Sequence, residues 1–168
     1  MCSSDLGGSG AFLRAVGARY PQLGLHLFDL PGVVALAVVP LEQSITRHGG
    51  DFRQDSLPKG MDIISVVRVI HDHDDDAVLA MLRNIRSACG PDTVLLIAEP
   101  FSGIAATARV TDAYFGLYFA AMGQGRTRTV SEIAKLGAQA GFDRPKLWRT
   151  DMPLITGVMT LQCNKTGL

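Results

Sequence analysis

Short apolar segments with the composition of buried β-strands alternate with helical segments along most of the chain. Residues 25–30, 61–70 and 93–98 are rich in Leu, Val and Ile and are bounded by Gly, Pro or acidic residues, as parallel strands buried on both faces usually are. This alternation predicts a single α/β domain with an open, mostly parallel sheet and right-handed crossovers. The helical patterns fill residues 11–20, 33–39 and 107–122.

Two further helices are predicted from the residues at which they begin. Residues 74–88 open on three aspartates, which complement the positive end of a helix dipole. Thr129 and Glu132 form a T-x-x-E capping box, which is typical of a helix start. Residues 155–163 and the region around Trp148 then supply the last two predicted strands.

The charge balance and the cysteine content exclude several classes of protein. Sixteen Lys and Arg residues balance sixteen Asp and Glu residues in a chain of 168 residues, so the electrostatic footprint of a nucleic-acid-binding protein is not visible. No apolar run reaches the roughly 18 residues of a membrane span. The three scattered cysteines have no metal-type spacing or disulfide framework, which favours a reducing, cytoplasmic setting.

A glycine-rich turn with the sequence G-G-S-G opens the first predicted helix. Gly7, Gly8 and Gly10 allow a tight turn that brings the backbone close to a ligand, and ligands of open α/β sheets bind beyond the carboxyl ends of the strands. Asp29 ends the next strand, where its carboxylate can accept both hydroxyls of a ribose. An NAD-binding domain would share these features, but its G-x-G-x-x-G fingerprint needs a glycine where Leu13 stands.

A second acidic corner follows the third predicted strand. Gly50, Asp51 and Phe52 are placed to bind the adenine amino group and to cover the ring of a single adenosine. Each acidic residue by itself is equally consistent with a loop turn. The glycine turn and both acids occur at successive strand ends, and together they favour an adenosine site without a pyrophosphate.

Several motifs follow one another along the chain: residues 7–10 (GGSG), 26–31 (HLFDLP), 49–52 (GGDF), 68–75 (RVIHDHDD), 98–100 (AEP), 112–115 (DAYF) and 121–126 (AMGQGR). In this order they resemble the plant-type, acetylserotonin-like family of S-adenosylmethionine-dependent O-methyltransferases over nearly the whole chain. Within that family, the motifs are most similar to the bacterial carotenoid branch, the demethylspheroidene (hydroxyneurosporene) O-methyltransferases.

The resemblance implies a fold and a cofactor. The implied fold is a Rossmann-like class I methyltransferase sheet, mostly parallel with an antiparallel last strand, and the implied cofactor is S-adenosyl-L-methionine. Asp29 would bind the ribose, and Asp51 and Phe52 would bind the adenine. The full set of implied cofactor contacts is Gly7, Gly8, Gly10, Asp29, Leu30, Gly50, Asp51, Phe52 and Arg68.

The start of the chain departs from the family pattern. A strand ending in an acid, one apolar residue and three glycines normally precedes the turn, whereas Ser4 stands at the acid position and Leu6 at that of the first glycine. The family's N-terminal helical domain, which dimerises and closes over the substrate, has no counterpart. We therefore expect a truncated or replaced first strand, with residues 1–6 a non-native scar and residues 7–168 the catalytic domain.

His71 follows the fourth predicted strand, and strand alternation would point it at the ligand crevice. Histidine suits a general base because its ordinary pKa is near neutrality, although an isolated histidine at a strand end is more often structural. The resemblance assigns His71 as the base and Glu99 as the acid that orients it. Asp72 is a further match that could also simply begin the acidic helix start. Thr127 stands where plant members carry a second glutamate, so we expect one carboxylate to hold the base.

An aromatic stretch and an acidic cluster each have two interpretations. Residues 114–119 carry aromatic residues four apart, and Tyr114, Phe115, Tyr118 and Phe119 would either form an apolar wall for a polyene or pack in the core or the family's dimer contact. Met122 could join either surface, and the expected pocket residues are Tyr114, Tyr118 and Met122. Residues 71–76 contain only His and Asp, yet adjacent side chains point in different directions. We therefore expect no metal there.

The sequence favours methyl transfer to a hydroxyl of a small lipophilic acceptor, a hydroxylated acyclic carotenoid. The alternatives are a small phenolic or polyketide acceptor, an NAD-binding oxidoreductase domain, and a fragment that is inactive without its missing parts. The full-length parent is expected to be a homodimer that binds no nucleic acid. A membrane-dissolved acceptor leaves peripheral contact with the inner membrane open for an otherwise cytoplasmic protein.

Overall fold

The computed structural model describes residues 2–6, 8–37, 44–104, 108–123, 125–151 and 156–164. These residues form seven strands, five α-helices and one 3₁₀ turn. In chain order they are β1 (Cys2–Leu6), α1 (Ala11–Arg19), β2 (Gly24–Asp29), α2 (Pro31–Ala35), β3 (Ile45–Gly49), β4 (Ile63–Val67), the 3₁₀ turn (Ile70–Asp72), α3 (Asp75–Ala88), β5 (Val94–Glu99), α4 (Ala108–Met122), α5 (Val130–Gln139), β6 (Phe142–Trp148) and β7 (Gly157–Cys163).

All seven strands belong to one sheet with the order β3-β2-β1-β4-β5-β7-β6. The first five strands along the chain pair in parallel, while β7 runs antiparallel between β5 and β6. This confirms the predicted mostly parallel sheet with an antiparallel last strand. Because the parallel strands end at the same edge, the segments that follow them meet there. We call this edge the ligand edge.

The central position of the sheet is taken by β1. Ser4 lies opposite His26 on β2 and opposite Ile64 on β4, in parallel register on both sides. The five residues of this strand do not have the apolar composition of a buried strand. Backbone pairing with two neighbours uses amide and carbonyl groups that every residue here supplies, so a short strand of unusual composition can fill the position.

Two hydrophobic clusters pack against the sheet, and they differ greatly in size. The larger cluster joins β4, β5 and β7 to α3 and α5. Helix α3 contributes Val78, Met81, Leu82 and Ile85, all fully buried, at the spacing that places them on one face of the helix. The smaller cluster lies between β2 and α1, and its buried members are Leu13, Leu25, Leu27 and Ala37.

Most of the predicted elements are confirmed, with several of their boundaries shifted. Helix α2 begins at Pro31, not at residue 33, because a proline is favoured at the first helical position. Strand β4 ends at Val67, since Arg68 has a φ of 56° and turns the chain toward the 3₁₀ turn. Strand β6 begins directly after Gly141, whose φ is 90°. Of the predicted helix at 33–39, the final part lies outside the described residues.

The predicted capping box opens α5. The Glu132 amide donates to Thr129 Oγ1 at 3.2 Å, and the Thr129 amide donates to Glu132 Oε2 at 2.8 Å. The bond from Thr129 and a second from the Arg126 guanidinium lower the pKa of Glu132 to about 2. Among the described residues, no helix combines the length and the apolar character needed to cross a membrane.

Candidate active site

The glycine turn and the end of β2 lie side by side at the ligand edge. Gly8 and Gly10 have positive φ angles of 55° and 75°, which glycine adopts without strain. The Gly8 amide donates to Asp29 Oδ2 at 2.9 Å, and the Leu30 amide donates to Asp29 Oδ1 at 2.7 Å. An ionised carboxylate can accept about four hydrogen bonds, so Asp29 keeps acceptors for a ligand. Gly7 lies outside the described residues.

The corner after β3 is attached to the same place. The Gly50 amide donates to the Asp29 carbonyl oxygen at 2.9 Å. A Cβ at Gly50 would stand 2.7 Å from the Phe28 ring, so a larger residue would force this ring to move. Next to it, Asp51 accepts from Nε and Nη2 of Arg53 at 3.0 and 2.8 Å, and this guanidinium lowers the pKa of the Asp51 carboxyl. Arg53, which the sequence did not predict as part of the site, competes with any ligand for Asp51.

Phe52 connects this corner to the next strand end. Its ring meets the His73 ring edge-on, with 5.4 Å between centroids. The Asn84 side chain, on α3, donates to the carbonyl oxygens of Phe52 and Asp55 at 2.6 and 2.8 Å. The corner is therefore held to α3 through its backbone, while the aromatic ring stays half-buried and available to cover a flat ligand.

His71 sits in the 3₁₀ turn between β4 and α3, only 4% exposed. Its Nδ1 lies 2.6 Å from Glu99 Oε2, and Glu99 Oε1 accepts the amides of Val69 and Ile70 at 2.7 Å each. These three bonds satisfy a carboxylate that is 2% exposed. An ionised carboxylate only accepts, so with Glu99 ionised this hydrogen bond assigns the proton to Nδ1 and leaves Nε2 as the basic nitrogen of a neutral ring.

A second carboxylate reaches the same ring. Asp72 Oδ1 lies 3.3 Å from His71 Nε2, and the Asp72 side chain is 39% exposed. Glu99 thus holds the ring by a hydrogen bond, whereas Asp72 attracts Nε2 only when the imidazole is protonated. The 3₁₀ turn folds Asp72 back toward its neighbour, and so a carboxylate contacts Nε2 although Thr127 has replaced the glutamate that plant members carry.

Helix α4 covers the ring of His71 with aromatic side chains. The centroids of Phe115, Tyr118 and Phe119 lie 6.2, 6.3 and 5.9 Å from that of His71. We call these three residues the aromatic wall. All three belong to the aromatic stretch for which the sequence left two interpretations, an apolar wall for the acceptor or core packing, and their spacing of four residues on a helix is the signal that pointed to it.

The other predicted pocket residues lie farther from the ring or cannot be placed. Tyr114 is 66% exposed, and it contacts Phe115 at 5.1 Å between ring centroids, so it extends the aromatic wall outward. The side chain of Met122 lies outside the described residues. Within the described part of the chain, no three His, Cys, Asp or Glu side chains form a group that could hold a metal ion.

Arg68 follows β4 at the ligand edge and contacts the aromatic wall. Its positive φ of 56° is uncommon for a residue with a side chain and is often found at functional sites. The Arg68 amide donates to the Ala98 carbonyl oxygen at 2.9 Å. Its guanidinium carbon lies 5.8 Å from the centre of the Phe115 ring, within the range of a cation–π contact.

Comparisons with known proteins match most of the chain to one family. A family model described as an O-methyltransferase domain matches residues 3–143. Demethylspheroidene O-methyltransferase from Cereibacter sphaeroides is 43% identical over 159 residues, covering 92% of this chain and 42% of the relative. The same enzyme from Rhodobacter capsulatus is 42% identical over 153 residues, covering 91% of this chain and 39% of the relative.

A solved structure shows the same fold. Human N-acetylserotonin methyltransferase, determined in complex with SAM, superposes with a TM-score of 0.87 at 27% identity, covering 98% of this chain and 48% of the human one. The chain thus spans less than half the length of these relatives.

Proposed function

The chain belongs to the O-methyltransferase domain family, and from this premise we propose that it forms the catalytic part of an S-adenosylmethionine-dependent O-methyltransferase. The acceptor is a small lipophilic molecule with a hydroxyl group, and the named relatives favour a hydroxylated acyclic carotenoid of the demethylspheroidene type. The observation that carries the proposal is the buried contact of His71 with Glu99, beside an apolar wall at the ligand edge.

The residues at the cofactor side fit an adenosine. Asp29 would accept the ribose hydroxyls with the lone pairs that its two backbone bonds leave unused. The turn has room for a ligand, because a Cβ built at Gly8 meets nothing within 4 Å. Asp51 and Phe52 would hold the adenine, with Leu30, Gly10, Gly50 and Arg68 around them. When bound, S-adenosyl-L-methionine supplies a methyl group on a positively charged sulfur.

His71 would remove the proton of the acceptor hydroxyl as its oxygen attacks the methyl group. Glu99 keeps Nδ1 protonated and stabilises the imidazolium that forms when Nε2 takes the proton. The hydroxyl must come within about 2.6–3.2 Å of Nε2, a place that Asp72 now occupies at 3.3 Å. Asp72 therefore turns toward solvent when the acceptor enters, and the aromatic wall excludes water around the reacting oxygen. The products are the methyl ether, S-adenosylhomocysteine and a proton.

The decisive experiment separates turnover from cofactor binding. We expect His71→Gln to lower turnover by roughly 10²–10⁴-fold, the contribution of general base catalysis, while the calorimetric Kd for S-adenosylmethionine stays within about twofold, since no proposed cofactor contact changes. Equal losses of both would contradict the assignment. The full-length parent, assayed beside the 168-residue chain, distinguishes an inactive fragment from a wrong function.

Two alternatives give different results in the same assays. A panel with a hydroxylated acyclic carotenoid in micelles and small phenols tests the acceptor class, since a flat phenol would also fit the aromatic wall. Titration with NAD tests the oxidoreductase alternative. That alternative is disfavoured because Leu13, at the position where the NAD fingerprint needs glycine, is fully buried in the smaller cluster.

We also propose that the full-length parent is a homodimer with peripheral membrane contact. The support is a row of exposed apolar side chains on α4, formed by Val110, Tyr114 and Leu117, which are 61, 66 and 76% exposed. Sedimentation of the parent tests the dimer. Co-sedimentation with vesicles tests membrane contact, and retention of all protein in the supernatant would exclude it.

A further inference from the structure

The turn that carries His71 is held from a second side, by the segment that connects α4 to α5. Arg128 lies in this segment and is only 2% exposed. Its Nη1 donates to the Ile70 carbonyl oxygen at 2.8 Å, and its Nη2 donates to the His73 carbonyl oxygen at 2.7 Å. One guanidinium thus binds the backbone on both sides of His71.

The backbone of the same segment contacts His71 directly. The Arg126 amide donates to the His71 carbonyl oxygen at 2.9 Å. Gly125 has a φ of 85°, and a Cβ there would stand 2.3 Å from the same carbonyl oxygen, so only glycine allows this approach. Glu99 holds the amides of the turn, whereas Arg126 and Arg128 hold its carbonyl groups and Gly125 leaves room for this approach.

All three nitrogens of the guanidinium donate in this arrangement. Its Nε donates to Asp75 Oδ1 at 2.8 Å, and this bond is the largest cause of the lowered pKa of the Asp75 carboxyl. A buried charge is retained only when it is paired and hydrogen-bonded. Lysine would keep the charge but cannot reproduce the planar fork that reaches Ile70, His73 and Asp75 together.

We propose that Arg128 is a positioning residue for His71: its guanidinium fixes the carbonyl groups that flank the base and so sets the direction in which Nε2 faces the acceptor. This inference rests on the proposed role of His71. Arg128 moves no proton and touches no reacting atom. Its effect is geometric, and a misplacement of about 1 Å can cost about 100-fold in rate.

The chain offers a matched control in Arg86. Its Nε and Nη2 donate to the carbonyl oxygens of Gly141 and Asn164 at 3.0 and 3.1 Å, away from the ligand edge. Arg86→Lys therefore removes the same kind of guanidinium–carbonyl bridge as Arg128→Lys. The difference between the two variants separates the effect of the bridge on His71 from the general effect of such a bridge on stability.

The test has one readout that does not need activity. Spectra of ¹⁵N-labelled imidazoles, with the His71 signals assigned from His71→Gln, report its tautomer and titration. We expect Arg128→Lys to remove the single Nδ1-protonated signature and to shift the pH profile of kcat. It should lower kcat about 100-fold, with KM for S-adenosylmethionine within about twofold. Arg86→Lys should leave the spectrum, kcat and KM unchanged.

Native spectra and native kcat in Arg128→Lys would overturn the proposal, and so would equal losses in Arg86→Lys. If Arg128→Lys does not fold, Gly125→Ala displaces the His71 carbonyl from the same segment. Unchanged His71 signals in that variant would also overturn it. If the parent shows no turnover that depends on His71, the proposed function fails, while the imidazole spectra still decide whether Arg128 positions the ring.

Discussion

The two halves of the sheet, on either side of β1, satisfy their polar groups in different ways. In the half with β4 and β5, His71, Glu99 and Arg128 are each less than 5% exposed. Glu99 bonds the His71 ring, and both Glu99 and Arg128 bond the backbone of the turn that carries His71, beside the larger cluster. In the half with β2 and β3, Asp29 and Asp51 are half-buried and are held by backbone amides and by an exposed arginine, beside the smaller cluster. The fold itself preorganises the proposed base, whereas the half proposed to bind the cofactor keeps acceptors free for a ligand.

The largest effect on turnover is expected when the buried Glu99 carboxylate, in the half with β4 and β5, loses its charge. Glu99→Gln should reduce turnover by roughly 10²–10⁴-fold, because the imidazolium of His71 loses its counter-charge, and a glutamine whose single oxygen keeps the Val69 and Ile70 amides turns its NH₂ group toward Nδ1. Single-turnover rates at saturating S-adenosylmethionine measure this. The calorimetric Kd should change little. A loss of less than tenfold would mean that the two halves do not differ as described.

Matched leucine truncations compare the stability of the two halves. Leu95 and Leu25 are both buried strand residues, 0 and 3% exposed, in the larger and smaller cluster respectively. Leu-to-Ala changes in cores cost about 2–5 kcal/mol, more where the surroundings cannot collapse. We expect Leu95→Ala near the top of this range and Leu25→Ala near the bottom. Urea unfolding measures both, and equal costs would remove the contrast.

The cofactor side should respond in affinity more than in stability. Asp29→Asn keeps the size of the side chain but weakens charge-assisted bonds to a ribose, each worth about 1.5–3 kcal/mol, so the calorimetric Kd should rise about 10–100-fold. Asp143→Asn, at the start of β6 on the opposite edge of the sheet, is the control. A Kd unchanged in both variants would rule out Asp29 as the ribose ligand.

The smallest effect concerns pH and the edge of the cofactor half. His26 Nδ1 lies 2.9 Å from His48 Nε2 across β2 and β3, and burial, followed by the charge of His48, lowers the pKa of His26 below 6.5. A histidine with a lowered folded pKa binds protons more readily when unfolded, so stability should fall as pH drops below 6.5. His26→Gln should flatten this slope in thermal melts recorded from pH 7 to 5. Identical slopes in the two proteins would show that this pair does not titrate on unfolding.

The parts of the site that lie directly after strands could be predicted from the sequence. Parallel strands bring their carboxyl ends to one edge, so Asp29, Asp51 and Glu99 needed only a correct assignment of the strands before them. The helix beginning at Asp75 and the capping box of α5 were equally accessible, because their signals lie within a few residues.

The contact of Arg128 with the turn that carries His71 could not be predicted from the sequence in this way. Its partner Ile70 is 58 positions away and offers a backbone carbonyl, which every residue type has. The contact of Asp72 with His71 depends on the 3₁₀ turn, which hydrophobic periodicity does not register. β1 likewise has no strand pattern, and its conformation comes from tertiary pairing, which overrides local propensity.

The short β1 has a consequence for solubility. Cys2–Leu6 is hydrogen-bonded to β2 on one side and to β4 on the other, so fraying of these five residues would uncover two ladders of amide and carbonyl groups at once. Exposed strand edges of this kind pair with other chains. Slow hydrogen–deuterium exchange at Leu27 and Ser65, opposite Asp5 on its two sides, would mean that β1 seldom opens. In that case β1 keeps the edges of both β2 and β4 paired and so prevents edge-to-edge aggregation.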